Sequence, residues 1–358
     1  MAVVTAEAGV RELQELVQTA CESGEPLVIT GGGSKSAAPP TDTGRVLETR
    51  ALQGIVDYEP TELVITARAG TALDELQREL AAAGQMLGFE PPAWGKSATI
   101  GGTVACGLSG PRRPYAGALR DFVLGVRCLN GRGEDLHFGG RVMKNVAGYD
   151  IARLMAGARG TLGVLLEISF KVLPLPECEH TFCRRLPPAE AIDAMNRLAT
   201  RPLPLSAAAW VDGVMYVRLS GTAAAVEAAG REAALEACAD GDAFWSALRE
   251  HQLDFFNTDD PVWRLSLPAT TAMPTVTGDW AIDWGGAQRW LRSTEPAASV
   301  HHAAAAAGGY ATLHRGPADL PALPDLPPAL LKLHQRVKQA FDPAGILNPG
   351  LLYTGASC

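Results

Sequence analysis

PLVITGGGSK, residues 26–35, decides how the first half of this chain is read. Leu27 to Thr30 form a short apolar, β-prone run after a proline, the pattern of a buried strand. The run passes directly into Gly31-Gly32-Gly33-Ser34-Lys35. Glycine tolerates positive φ and a close approach of backbone, so a Gly-rich turn at a strand end can aim successive N–H groups at one concave point. Such a nest holds phosphate, with Ser34 adding a hydroxyl and Lys35 a charge. The spacing excludes a Walker A loop and also G-x-G-x-x-G, because no third glycine follows three residues on. The same glycines also fit an ordinary turn.

A second Gly-rich stretch, Ser97-Ala98-Thr99-Ile100-Gly101-Gly102, leads into more small residues at 103–110. Two such loops can clamp a pyrophosphate from both sides; tight packing of a loop on a sheet would select the same residues. Around them helix and strand alternate. We expect a helix at 8–22, strands at 44–49 and 63–67, a helix at 71–83, a hairpin of 122–130 with 133–138 across Asn130-Gly131, and a strand at 163–173. The proline-rich 174–177 closes this part.

Beyond it the pattern changes. We read a strand at 179–186, a helix at 188–199, strands at 206–211 and 214–220 across Asp212-Gly213, and a helix at 222–238. Strands at 262–267 and 277–283, a helix at 297–307 and a strand at 309–314 follow. This β-α-β-β-α order predicts an open antiparallel sheet with helices on one face, and a duplicated β-α-β unit. Residues 316–328 are a proline-rich linker to a last helix at 328–341. The fold class is α+β, with domains at 1–176, 177–327 and 328–358.

Composition narrows the function. Of 358 residues 47% are hydrophobic and 20% charged, and the formal net charge is −8, so the chain is globular and a poor nucleic-acid binder. No apolar run reaches the length of a membrane span. The N-terminus reads as an amphipathic helix with Glu7, Glu12 and Glu15, not as a signal or transit peptide, and a cytoplasmic location is expected, with any membrane association left to partners. The seven cysteines are odd in number, scattered and without C-x-x-C, so they read as reduced thiols, with no iron–sulfur or other metal ligand set.

PLVITGGGSK, SATIGG, YAGALRDFVLGV, NVAGYD, GTLGV and FDPAGILNPG, in this order, resemble the vanillyl-alcohol-oxidase superfamily with its p-cresol-methylhydroxylase-type FAD domain. Residues 103–150 are more similar still to the FAD-binding subunits of bacterial glycolate oxidases (glycolate dehydrogenases). The resemblance implies a two-subdomain FAD platform and a small α+β cap with an antiparallel sheet. It implies that Gly31, Gly32, Gly33, Ser34, Lys35 and Ser36, with Ser97, Ala98, Thr99, Ile100, Gly101 and Gly102, bind the pyrophosphate. It places Ser109, Gly110 and Tyr115 along the ribityl and ring system, Gly160, Thr161, Gly163 and Val164 toward the adenine, and Asn348 back at the flavin. Covalent members use a His near the first loop or a Cys in a set position of the second. Residues 26–50 hold no His and Cys106 lies past the second loop, so non-covalent FAD is expected.

Three side chains are candidates for chemistry. Lys144, beside Asn145, offers a cation to a reduced flavin or a carboxylate, or is a solvated loop lysine. Arg218 suits a carboxylate and shares a strand face with Tyr216, two residues away. His314 in ATLHR is a flavin-facing candidate or a half-buried strand histidine satisfied by a neighbour. Arg112-Arg113 read as a phosphate or partner contact or a surface pair, and His301-His302 as solvated. The resemblance implies oxidation of glycolate to glyoxylate within a complex with a sister FAD-containing subunit and an iron–sulfur subunit. A stand-alone 2-hydroxy-acid or sugar-acid oxidoreductase and a flavin-free scaffold subunit remain as alternatives.

Overall fold

The computed structural model describes residues 6–35, 44–140, 150–233, 236–317 and 320–352. The chain forms two compact units. The first comprises the residues up to Leu108, Ala118–Leu175 and the segment from Asp325 onward; the second comprises Ser109–Gly117 and Pro176–Pro324. Within the stretch 1–176, residues 109–117 and Pro176 cluster with the second unit.

In the first unit, strands β1 (Leu27–Thr30) and β2 (Arg45–Glu48) pair in parallel. The helix Ala6–Ser23 packs on them because Val10, Leu13, Val17 and Ala20 recur at helical spacing and bury against Leu27 and Leu47. Strands β3 (Ile55–Glu59), β4 (Val64–Arg68), β6 (Val123–Leu129), β7 (Asp135–Gly139) and β8 (Val164–Lys171) make a five-stranded antiparallel sheet in the order β3-β4-β8-β6-β7. The short β5 (Gln85–Met86) and β9 (Leu173–Pro174) pair separately. Strand β8 is central, and Val164, Leu166, Ile168 and Phe170 are all fully buried. After the C-terminal helix Pro328–Phe341, Leu347 bridges Leu27 in parallel, with Leu27 N–H donating to Ile346 O at 2.7 Å. The tail thus extends the sheet edge that leads into the first Gly-rich turn.

The second unit holds an eight-stranded antiparallel sheet of β10 (Cys178–Arg185), β11 (Leu205–Val211), β12 (Val214–Gly221), β13 (Glu236–Ala237), β14 (Val262–Ser266), β15 (Asp279–Asp283), β16 (Gln288–Arg292) and β17 (Tyr310–Arg315). Its order, β13-β10-β12-β11-β15-β16-β14-β17, divides at the β11–β15 seam. Each half reads 4-1-3-2 in its own strand numbering, so the duplication is present as two split-βαβ halves joined edge to edge. The first half carries both helices, Pro188–Ala199 and Ala223–Ala233; the second carries Ala297–Ala306 and replaces its other helix by the 267–278 connection. Asp212 (φ 50°) and Gly213 (φ 80°) form a two-residue turn with both φ values positive, as a tight hairpin requires.

Candidate functional site: a glycine-lined cavity in the first unit

The two Gly-rich loops meet. A Cβ on Gly31 would lie 2.5 Å from Thr99 Oγ1, and one on Gly32 would overlap the carbonyl of Ser97, so the contact requires glycine at both positions. Gly33 adopts φ +70° with open space where a side chain would project. The second loop is held by the fold: Thr99 pairs with Ala72, and its side chain caps the helix Ile100–Cys106 by accepting from Gly102 N–H at 3.2 Å. Ile100 N–H donates to Thr71 O and Gly101 N–H to Ala69 O, at 2.9 and 2.7 Å. These two amides are thereby corrected from ligand donors to struts. Ile100 is fully buried and Ala98 nearly so.

Between the loops lies a cavity of about 340 Å³. Its walls include Ile29 to Lys35, Thr99, Gly101, Gly102, Cys106, Arg159, Gly160, Gly163 and Asn348. Among the described residues the lining is mostly backbone, small and apolar groups, with two cations, Lys35 and Arg159, and no carboxylate. Burial pushes the Cys106 thiol up, while the charges of Arg159 and Lys35 pull it down. Lys35 Nζ donates to Ala93 O at 3.3 Å.

Gly160 sits at φ +73°, and a Cβ there would lie 2.8 Å from Asn348 Nδ2. Gly163 borders the cavity as well, and its missing Cβ leaves room for Leu129 O at 2.8 Å. Asn348 also has positive φ and is 5% exposed. Its Oδ1 accepts from Ile29 N–H at 2.8 Å and its Nδ2 donates to Arg159 O at 2.7 Å. It therefore ties β1, the 159–161 turn and the tail together at the wall. Thr161 is buried with its hydroxyl donating to Ala158 O, and Val164 lies in the core; neither is on the cavity surface. Ser36 and Lys144 fall outside the described residues.

Ser109, Gly110 and Tyr115 belong to the second unit. Gly110 O accepts from Trp284 Nε1 at 3.0 Å, and the Arg113 guanidinium stacks 4.3 Å over the same indole. Burial, then Asp283, pushes the Tyr115 phenol far above its ordinary value, so it stays protonated. Arg218 is 6% exposed and engaged: its Nε donates to Ser206 Oγ at 2.9 Å and lies 3.4 Å from Glu179 Oε1. The same Glu179 takes Arg112 through both oxygens, at 2.5 and 2.6 Å. Arg112 is thus no surface residue; it is one of two buried arginines that share the half-buried Glu179. Tyr216 stacks on Phe244 at 3.6 Å, on the side where Arg218 lies over Trp245. His314 Nε2 sits 3.1 Å from His251 Nδ1, with both rings against Trp290. Reasoning from sequence missed His251, Arg159 and Lys338; the first gave no signal, and the other two stand beside motifs, GTLG and FDPAG, that drew attention to their glycines instead.

A cradle of close-approaching backbone with the cations Lys35 and Arg159 in its wall fits an elongated ligand with an anionic linker, as a flavin dinucleotide is. Residues 2–139 match the FAD binding domain family, and residues 325–352 match the C-terminal domain of FAD linked oxidases. The fold is shared with solved structures of alkyldihydroxyacetonephosphate synthase, at TM-scores of 0.64 and 0.66 with 16% and 15% identity, covering 95% of this chain and 74% of those. The molecule is therefore an FAD-binding oxidoreductase built from the domains of FAD linked oxidases, with FAD as its cofactor.

The chain is 47% identical over 346 residues to the glycolate oxidase subunit GlcE of Escherichia coli, covering 95% of this chain and 96% of that protein. It belongs to that family of glycolate oxidase subunits. More distant similarity, 31% over 48% of this chain, links it to the glycolate oxidase subunit GlcD of Bacillus subtilis, of which 36% is covered. Similarity of 29% over 57% of this chain and 46% of the relative links it to a D-lactate dehydrogenase of Archaeoglobus fulgidus.

Proposed function

We propose that this chain is the FAD-binding subunit of a glycolate-oxidising complex and takes part in the conversion of glycolate to glyoxylate. The observation that carries the reading is the cavity built by Gly31–Lys35 and Thr99–Gly102 in a chain similar over nearly its full length to a glycolate oxidase subunit. The oxidation removes two electrons and two protons from the alcohol carbon and its hydroxyl, and FAD, when bound, supplies the acceptor for the electrons. An iron–sulfur partner subunit would take the electrons onward, and a sister FAD-containing subunit would share the substrate chemistry.

The residues present do the holding. The Gly-rich turns let backbone approach the linker of the cofactor, and Lys35 and Arg159 offset its charge. Asn348 fixes the wall against β1. In the second unit, Tyr115 stays neutral and His251 is held neutral by burial, so neither brings a charge of its own. Among the described residues no helix is long and apolar enough to cross a membrane. We place the complex in the cytoplasm, with attachment to a membrane left to its partners.

Co-purification under mild conditions from cells expressing the sister and iron–sulfur subunits tests the reading, with flavin and iron quantified in each fraction. A shared peak that oxidises glycolate, and an isolated chain that binds flavin but turns glycolate over poorly with an artificial acceptor, are expected. Robust turnover by the isolated chain would instead make it a stand-alone 2-hydroxy-acid oxidoreductase.

A further inference from the structure

We infer that Lys338 is a positioning residue for the cofactor cavity: acting through the Arg159–Thr161 turn, it fixes where the Arg159 guanidinium meets the phosphates of the ligand. The inference rests on the FAD reading.

Lys338 lies in the last turn of the helix Pro328–Phe341. Its ammonium reaches three acceptors: Thr161 O at 2.8 Å, Leu347 O at 2.8 Å and Asp342 Oδ2 at 2.6 Å. Asp342 is 1% exposed and also accepts from Ile346 N–H at 3.2 Å and Leu347 N–H at 2.8 Å. A buried carboxylate that receives an ammonium and two amides forms a rigid knot, since each bond is charge-assisted. The knot grips one end of the 159–161 turn through Thr161. Asn348 Nδ2 grips the other end through Arg159 O, and Arg159 N–H is bound to Ala105 O at 2.8 Å.

Arg159 therefore has both backbone groups tied while its residue lines the cavity. Its φ of 51° is in the left-handed region, where a non-glycine residue is strained. Such strain persists only where surrounding bonds over-determine it, and it is concentrated at binding sites. Arg159 and Lys35 both line this cavity, and two cations on one wall suit a ligand with two neighbouring phosphates. Lys338 touches none of that ligand. It sets the turn from behind, from a helix distant in sequence.

The experiment measures FAD affinity of the apo-protein by quenching of flavin fluorescence in wild type, R159M, K338M and the double variant. Each single substitution is expected to weaken FAD about tenfold or more. Because Lys338 acts through Arg159, the double variant should match R159M within about twofold. Losses that multiply, or an unchanged K338M, would overturn the inference. If K338M does not fold, limited trypsin digestion of wild type decides: FAD should slow cleavage after Arg336 and Lys338, and a rate that FAD does not change would overturn the inference. A folded wild type that binds no FAD would instead defeat the FAD reading itself.

Discussion

Gly32 has no room for a side chain, because the carbonyl of Ser97 already occupies the position of its Cβ. That steric fact was half legible in the sequence: three glycines after a strand announce close backbone approach, but not what approaches. Asn130-Gly131 shows the opposite case. The dipeptide predicts a two-residue hairpin, yet β6 ends at Leu129 and β7 begins at Asp135. Asn130 Oδ1 instead accepts from the amides of Arg132 and Glu134, at 2.9 and 3.0 Å, and closes a longer turn. Gly131 is there because Asp342 Cα would stand 2.7 Å from any Cβ, a tertiary reason invisible locally. His251 carries a prediction of its own. Its pKa is pushed from 6.5 down to about 2, first by burial, then by the charges of His314, Arg315 and Arg264. Above about pH 6.5 both the folded and the unfolded chain hold it neutral, and it adds no pH dependence. Below that, only the unfolded chain takes up the proton, so stability falls by up to about 1.4 kcal/mol per pH unit. Urea melts between pH 7 and 5 should show this slope, reduced in His251→Asn, a residue that tolerates the φ of 55°. Equal slopes in the two proteins would assign the loss to other groups.

The strands at 27–30 and 214–221 were legible because their apolar residues are bounded by proline, glycine or Asp-Gly. The helix Ile100–Cys106 was not, since Gly101 and Gly102 have low helix propensity; Thr99, which caps it, was the available sign. The helix expected at 222–238 ends at Ala233, and a second one runs from Gly241 to Arg249. Strands Ile55–Glu59 and Gln288–Arg292 went unread because polar residues interrupt them. The 109–117 excursion could not be read at all: it rests on Arg112 reaching Glu179 in β10, a pairing that no local pattern encodes. That cluster makes a stability prediction. Glu179 is shared by two buried arginines, so Glu179→Gln strips both of a common counter-charge. A loss of about 3–5 kcal/mol is expected in denaturant unfolding of the variant. A change below about 1 kcal/mol would mean that the arginines are adequately neutralised without it.

Across the molecule, the order of Gly-rich motifs carried the fold class, and the duplicated sheet of the second unit followed from β-α-β-β-α patterning. The substrate side was less legible, because Arg218 and His314, chosen for their chemistry, are bonded within the second unit to Ser206 and His251. The account stands on the first unit, where two distant loops and the C-terminal tail close one cavity. Denaturing the purified chain with acid and measuring flavin in the supernatant tests this most directly, with Gly32→Val alongside. About one FAD per chain should be released, with none left on the polypeptide, and the variant should fold yet come out colourless. A folded wild type without flavin, or a variant that retains full FAD, would contradict the account.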